Sequence, residues 1–160
     1  MRTIVVLAFA LGLACRPVEA ADWITFVEPN FGTTLELPTE VFSVHEGSSY
    51  RGIGEQYKTS NARATLAVYS QQNSRHDTPQ TYLRRNSLVP RRMIEYVRVT
   101  RSFFAISTTA KGMILYSRCN FSRRSSTIHC FDLTYPASEK RAWNDIVTRM
   151  SRSLEPLERG

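Results

Sequence analysis

The chain has 160 residues and a formal net charge of +7 at pH 7. That length holds one domain with one hydrophobic core and excludes a second domain. Among the 21 basic residues, only Lys58, Lys111 and Lys140 are lysines. An arginine-rich surface favours bidentate contacts with carboxylates or phosphates, although a basic surface that only keeps the protein in solution would have the same composition.

The N-terminal segment MRTIVVLAFALGLACRPVEA is typical of a secretory signal peptide. It has a basic residue, Arg2, then an uncharged apolar run over residues 4–14 and a small-residue pattern that ends at Ala20. A membrane anchor is the alternative, but this run is shorter than the roughly 20 residues that span a bilayer. We therefore predict a signal peptide over residues 1–20, with export to the periplasm or out of the cell.

Cys15 offers a second interpretation of this segment, a lipoprotein. Such sites usually carry leucine three residues before the cysteine, where this chain has Gly12. We therefore favour cleavage after Ala20. The mature protein is then predicted to begin at Ala21, to fold as a single domain over residues 21–160 and to have no transmembrane segment.

Short alternations of apolar and polar residues predict that the mature chain is mostly β. An opening hairpin is predicted over residues 23–37, with its turn at the sequence PNFG, and a polar loop over residues 43–54. The further predicted strands are 55–59, 63–70, 93–100, 103–108, 112–121 and 127–135.

Two helices are predicted between and after these strands. Thr78 is a suitable N-cap with Pro79 at the first helical position, and that helix is expected to end near Asn86. Ser138 is the predicted cap of a closing helix whose apolar residues recur every three or four positions. These apolar residues are Trp143, Ile146, Val147, Met150 and Leu154. The predicted fold class is α+β, an antiparallel sheet with the helices packed mainly on one face.

The run ITFVEPNFGTTLELPTEVF resembles the opening hairpin of PsbP/Mog1-like domains. The later order, YKTSNARATLAVYS followed by a helix, several strands and an amphipathic C-terminal helix, is similar to that fold across nearly the whole mature chain. Domains of this family mostly act as non-catalytic binding or assembly modules. The resemblance therefore implies an α+β fold and a non-enzymatic role, and it transfers no site residue.

Cys119 and Cys130 are the two cysteines of the predicted mature chain. Zinc sites usually need four ligands in closely spaced pairs, and redox centres need Cys-x-x-Cys, so neither fits. If the strands turn midway between the cysteines, at Arg124 and Ser125, the two cysteines lie directly opposite each other. We therefore predict a cross-strand disulfide.

Candidate catalytic residues are few. His45 lies among loop hydroxyls, but no G-x-S-x-G or comparable frame for nucleophilic catalysis is present, so a solvated histidine is the favoured interpretation. Asp132 interrupts the apolar run CFDLTY and should be paired or face solvent. Arg118 on the neighbouring strand is its predicted partner. A hydrolase with a site assembled in space remains the less favoured alternative.

The densest charge feature combines arginines with aromatic residues between positions 82 and 104. Its arginines are Arg84, Arg85, Arg91, Arg92, Arg98 and Arg101. Such interleaving can bind single-stranded nucleic acid, but export makes that partner unlikely. We predict an exported, non-catalytic binding or accessory module that recognises a protein or an anionic envelope component, with these arginines as the contact surface. No cofactor and no metal site are predicted.

Overall fold

The computed structural model describes residues 22–87, 89–122 and 126–157, which contain ten strands and two α-helices. The strands are β1 Trp23–Glu28, β2 Thr33–Pro38, β3 Val44–Ser48, β4 Ile53–Lys58, β5 Thr65–Gln72, β6 Tyr96–Val99, β7 Phe103–Ala110, β8 Met113–Phe121, β9 Thr127–Pro136 and β10 Glu155–Pro156. The helices are α1 Pro79–Asn86 and α2 Lys140–Ser153. The predicted signal peptide and the predicted turn at Arg124 and Ser125 lie outside the described residues.

Seven strands form an antiparallel sheet in the order β3-β4-β5-β9-β8-β7-β6, and β1, β2 and β10 form a small second sheet. In β5, β8 and β9, the central strands of the large sheet, successive side chains point to opposite faces of the sheet. Leu66, Val68, Phe131 and Leu133 therefore lie on one face and are fully buried. The α+β class and the antiparallel sheet predicted from the sequence are confirmed.

The two helices pack on opposite faces of the large sheet, which corrects the expectation that they lie mainly on one face. On one face, α2 packs with β2 through Trp143, Met150 and Leu154, the residue that follows the helix. On the other face, α1 packs through Tyr82 and Leu83 against a cluster that contains the disulfide. The sequence could not separate these faces, because α1 has only a short apolar stripe.

One of the two predicted helix N-caps is present in the structure. Thr78 caps α1 as predicted, since its hydroxyl accepts a hydrogen bond from the Thr81 amide at 3.2 Å and Pro79 follows. The predicted cap of α2, Ser138, lies instead inside a short 3-10 turn, Ala137–Glu139. That turn leads directly into α2, which begins two residues later than Ser138 and has no side-chain cap.

The predicted loop over residues 43–54 contains an additional strand, β3, which pairs with β4. The strand is broken by a bulge between His45 and Gly47, where Gly47 adopts φ +91°. Val44 is its one apolar side chain, and every residue of the strand is half-exposed or exposed, so it shows no apolar alternation. A cross-strand hydrogen bond of His45 with Glu55 and an ion pair of Glu46 with Lys58 accompany it.

Cys119 and Cys130 form the predicted disulfide between β8 and β9. They are directly opposite in the strand register, with 4.1 Å between their Cα atoms. Both side chains are buried, and they pack with Phe104 and Ile128 beneath α1. The disulfide therefore joins two central strands inside the core.

Replacing both cysteines with alanine is expected to lower the free energy of unfolding by roughly 2–3 kcal/mol, because the disulfide restricts a short loop of the unfolded chain. Urea unfolding of the variant and of the oxidised protein measures this. Reducing the unmodified protein should give a similar loss. Equal unfolding midpoints, or recovery of both cysteines as free thiols in non-reducing peptide mapping, would contradict the disulfide.

Candidate ligand-binding groove

A groove of about 330 Å³ lies between the C-terminal half of α2 and the β6–β7–β8 end of the large sheet. That volume is within the range of pockets that hold small ligands. The groove is lined by Tyr96, Arg98, Phe103, Ala105, Tyr116, Arg118, Val147, Thr148, Ser151 and Arg152. Arginines and aromatic rings thus share one concave surface.

The strand register explains how two arginines reach this surface. Arg98 on β6 is opposite Ala105 on β7, and Ala105 is opposite Arg118 on β8. Neighbouring strands are about 4.8 Å apart, so one strand separates the arginines at the same level of the sheet. The methyl group of Ala105 is small and leaves space between them.

Both guanidinium groups lie over the ring of Phe103. The distance from the guanidinium carbon to the ring centroid is 4.1 Å for Arg118 and 5.4 Å for Arg98. Stacking of this kind orients the planar guanidinium while its N–H groups stay available. Arg118 Nε also donates a hydrogen bond to Asn120 Oδ1 at 3.1 Å. Arg118 is therefore held in place from two sides.

The charges in the groove have no carboxylate partner among the described residues. Among these residues, Arg98, Arg118 and Arg152 form no ion pair. In contrast, Arg149, which lies on α2 with Arg152, contacts Glu36 through two nitrogens, at 2.7 and 3.1 Å. Burial lowers the pKa of Arg118, and the positive charge of Arg98 adds to that effect. Arg118 still carries its charge at neutral pH. The groove is thus a half-buried site of uncompensated positive charge.

Polar groups on the opposite wall complete the site. Ser151 of α2 donates a hydrogen bond to the hydroxyl of Tyr116 at 2.9 Å, which ties the helix to β8. Thr148 adds a second hydroxyl to the lining. Guanidinium and hydroxyl donors around an open volume can bind a carboxylate, a phosphate or a sulfate group.

Only one of the six predicted contact arginines, Arg98, lies in this groove. Arg84 and Arg85 belong to α1, which packs on the opposite face of the sheet, and Arg85 pairs with Asp77 at 2.6 Å. Arg91 and Arg92 begin a 3-10 turn and Arg101 lies between β6 and β7, all of them exposed. The structure therefore does not gather the six on one face.

Sequence reasoning did not find Arg118 and Arg152 as binding residues. The signal that relates Arg118 to Arg98 is their common position in two strand registers, which requires the order β6-β7-β8 to be known. Arg152 lies on α2 and is close to neither of them in sequence. Local density along the chain selects a different set of arginines.

Asp132 is paired with Arg51, which corrects the predicted pairing with Arg118. Arg51 Nε lies 3.1 Å from Asp132 Oδ2, and Ser117 and Tyr69 donate hydrogen bonds to the same carboxylate. Arg118 faces the other side of the sheet. Burial raises the pKa of Asp132 despite these partners. The adjoining cavity of about 50 Å³ holds about one or two water molecules, so this cluster has a structural role.

His45 lies at the surface and His129 lies in the core. His45 is exposed on β3, and its Nε2 lies 2.7 Å from Glu55 Oε2, a partner that the sequence did not predict. His129 is fully buried, and its Nδ1 lies 2.7 Å from Thr33 Oγ1. Ser70 contacts that threonine and Glu28, and all four of these side chains are buried. The resulting network joins the small sheet to the large one and offers no access to a substrate.

Within residues 22–87, 89–122 and 126–157, no three His, Cys, Asp or Glu side chains are grouped so that they could hold a metal ion. In the same part of the chain, no helix is long and apolar enough to cross a membrane.

The arrangement of strands and helices is similar to the solution structure of cyanobacterial PsbP (CyanoP) from Synechocystis sp. PCC 6803, with a TM-score of 0.63. The match covers 89% of this chain and 97% of that chain. The chain has a PsbP-like fold. The resemblance predicted from the opening hairpin and the order of elements is thereby confirmed.

The likeness to the PsbP-like fold concerns the backbone only, since the two sequences are 9% identical. No protein-family model and no curated protein matches the sequence. No residue role in the groove is therefore transferred from another protein.

Proposed function

We propose that this protein is an exported, non-catalytic binding or accessory module that recognises an anionic group of a protein or envelope component in the groove around Arg118. The observation that carries the proposal is the pair of arginines, Arg98 and Arg118, held over one aromatic ring without a carboxylate partner among the described residues.

Four other arginines differ from Arg118 because each has a carboxylate partner. Arg51, Arg63, Arg85 and Arg149 each lie within 3.1 Å of a carboxylate oxygen. Removing a charge from water costs free energy unless a partner compensates it. Arg118 bears that cost, and a second positive charge stands nearby. An anion from outside would compensate both.

A binding role rather than catalysis is supported by the state of the reactive side chains. The hydroxyls and the imidazole of the Thr33, Ser70 and His129 network are enclosed in the core. Asp132 is bonded to its neighbours beside a cavity the size of one or two water molecules. Neither cluster combines a nucleophile and a base with a space that a substrate could enter.

Export is supported by the signal-peptide pattern in residues 1–20 and by the buried disulfide, since disulfides persist in oxidising compartments. The anions available there include acidic protein segments, lipid headgroups and acidic polysaccharides. Nucleic acid is an unlikely partner in that compartment.

A glutamate hexapeptide is a suitable anionic probe. Arg118→Gln is expected to weaken its binding about tenfold, because it removes a charge-assisted contact worth about 1.5 kcal/mol. The matched control is Arg141→Gln, which removes an exposed arginine that lies on α2 about 9 Å before Val147, the first groove residue of that helix. Calorimetry at low salt measures both.

Equal weakening by the two variants would contradict the groove and leave net charge as the cause. A second arm tests the predicted segment with vesicles that contain phosphatidylglycerol. If replacing Arg84, Arg85, Arg91 and Arg92 by glutamine abolishes vesicle binding and Arg118→Gln does not, the anionic-surface alternative replaces the groove.

A further inference from the structure

β6 is the terminal strand of the seven-stranded sheet and pairs only with β7 among the described residues. The turn after β6 determines which of its residues bond to β7. There the Thr100 amide donates a hydrogen bond to Phe103 O at 2.8 Å, so Arg98 and Tyr96, at the same parity, also bond to β7. In an antiparallel pair, hydrogen-bonded residues alternate with residues that direct their backbone outwards. Val97 and Val99 therefore direct their N–H and C=O groups to the free edge.

The two faces of this edge have different chemistry. Val97 and Val99 are 58% and 39% exposed and lie on the α1 face. Arg98 and Tyr96 lie on the opposite face, in the groove. An incoming strand would thus meet apolar side chains on one face and a guanidinium on the other.

The opposite edge of the sheet is protected in the way that edge strands usually are. β3 carries a bulge at His45 and Gly47, and charged side chains flank it. β6 has neither a bulge nor a proline within Tyr96–Val99. A regular, exposed and half-apolar edge can accept a further strand.

We propose that β6 docks an extended segment of a partner protein in which acidic and apolar side chains alternate, paired antiparallel to the edge. This inference rests on the proposed function and specifies its partner. Directly opposite residues share a face, so the apolar side chains of the segment contact Val97 and Val99. Its carboxylates lie beside Arg98 and reach towards the groove.

Charge favours an acidic partner over a second copy of this chain. Arg91, Arg92, Arg98 and Arg101 flank or belong to the edge, and Glu95 is the one acidic residue between positions 91 and 101. In the register that pairs Val97 with Val99, a second β6 would place its own arginine directly opposite Arg98, and like charges on facing strands destabilise the pair. Carboxylates on the incoming strand would instead attract Arg98 and stabilise the pairing.

The test uses a capped octapeptide of alternating glutamate and valine and two N-methylated forms. In antiparallel pairing, the valine N–H groups of the peptide bond to β6 and the glutamate N–H groups point away. Methylation of every valine nitrogen is therefore expected to weaken binding at least about tenfold, whereas methylation of every glutamate nitrogen should change it less than about threefold.

Two variants of the protein complete the design. Val97→Pro removes an outward N–H that is not used by β7, and should weaken the unmodified peptide about tenfold. Val97→Thr keeps that N–H and the shape of the side chain, and should have a much smaller effect. Circular dichroism and the unfolding midpoint check that both variants are folded.

The outcomes separate this inference from the proposed function. Equal sensitivity to the two methylation patterns, or binding unaffected by Val97→Pro, would overturn strand addition. If Arg118→Gln still weakens the glutamate hexapeptide, the anion-binding function stands without strand addition. Concentration-dependent dimers that β6 mutations abolish would also overturn the inference, because the occupant would then be a second copy.

Discussion

Lowering the pH from 7 to 4 is expected to reduce the free energy of unfolding, with His129 alone contributing a loss of about 3 kcal/mol. Burial lowers the pKa of His129 to about 4, against which the nearby negative charge of Glu28 acts only in part. Its Nε2 is buried and has no hydrogen-bond partner within the described residues. A proton on the folded imidazole is therefore poorly accommodated.

The sign follows from the two pKa values of this histidine. Above the unfolded value of about 6.5, both states are neutral at this position and the histidine has no effect. Between that value and about 4, the unfolded chain binds a proton that the folded chain does not. Stability is thus complete at neutral pH and falls as the pH decreases through this window.

Urea unfolding at pH 7, 6, 5 and 4 measures the effect when it is compared with His129→Gln. The unmodified protein should be the more stable at pH 7, and the difference should shrink by about 3 kcal/mol by pH 4. Carboxylates common to both proteins cancel in the difference. Two curves that remain parallel over this range would contradict a neutral, buried His129.

Arg51→Met is expected to lower the free energy of unfolding by about 3–5 kcal/mol at pH 8, because it leaves the buried Asp132 carboxylate without its charge partner. The side chains of Arg51 and Asp132 are only 20% and 11% exposed. The control is Arg63→Met, which breaks an exposed pair with Glu139 at 55% and 36% exposure. That loss should stay below about 1 kcal/mol.

The same variant should be less destabilised at pH 5 than at pH 8. Burial already raises the pKa of Asp132 in the folded protein, so the folded state retains this proton more strongly than the unfolded chain. Stability therefore decreases as the pH rises from the ordinary carboxyl value of about 3.9 through the folded value. Without Arg51 the folded pKa rises further. A loss of stability that is the same at both pH values would show that Arg51 stabilises the fold through packing and not through its charge.

The parts of the fold that the sequence predicted are those where one physical requirement dominates. Short stretches of apolar residues located β5, β8 and β9, because these central strands contribute buried side chains to both faces of the sheet. Thr78 and Pro79 located the start of α1, and the two cysteines defined the register of β8 and β9. β3 was missed because none of its residues is buried and Val44 is its one apolar side chain, so the sequence shows no alternating pattern there.

The candidate groove was not predictable from the sequence for a related reason. It depends on which strands are neighbours, since Arg98 and Arg118 meet only when β7 lies between β6 and β8. Charge density in the sequence selected Arg84 and Arg85, which the fold places on α1 and on the other face of the sheet. Asp132 was recognised as a residue needing a partner, but Arg51 came from the loop beside the overlooked strand.

The most direct test of anion binding in the groove is an NMR titration of arginine-labelled protein with the glutamate hexapeptide, which follows the side-chain Nε–Hε signals. We predict saturable shifts for Arg98 and Arg118 with a common dissociation constant, and no shift for Arg51 or Arg141. Shifts confined to Arg84, Arg91 and Arg92, or equal shifts of every exposed arginine, would contradict a binding site in the groove.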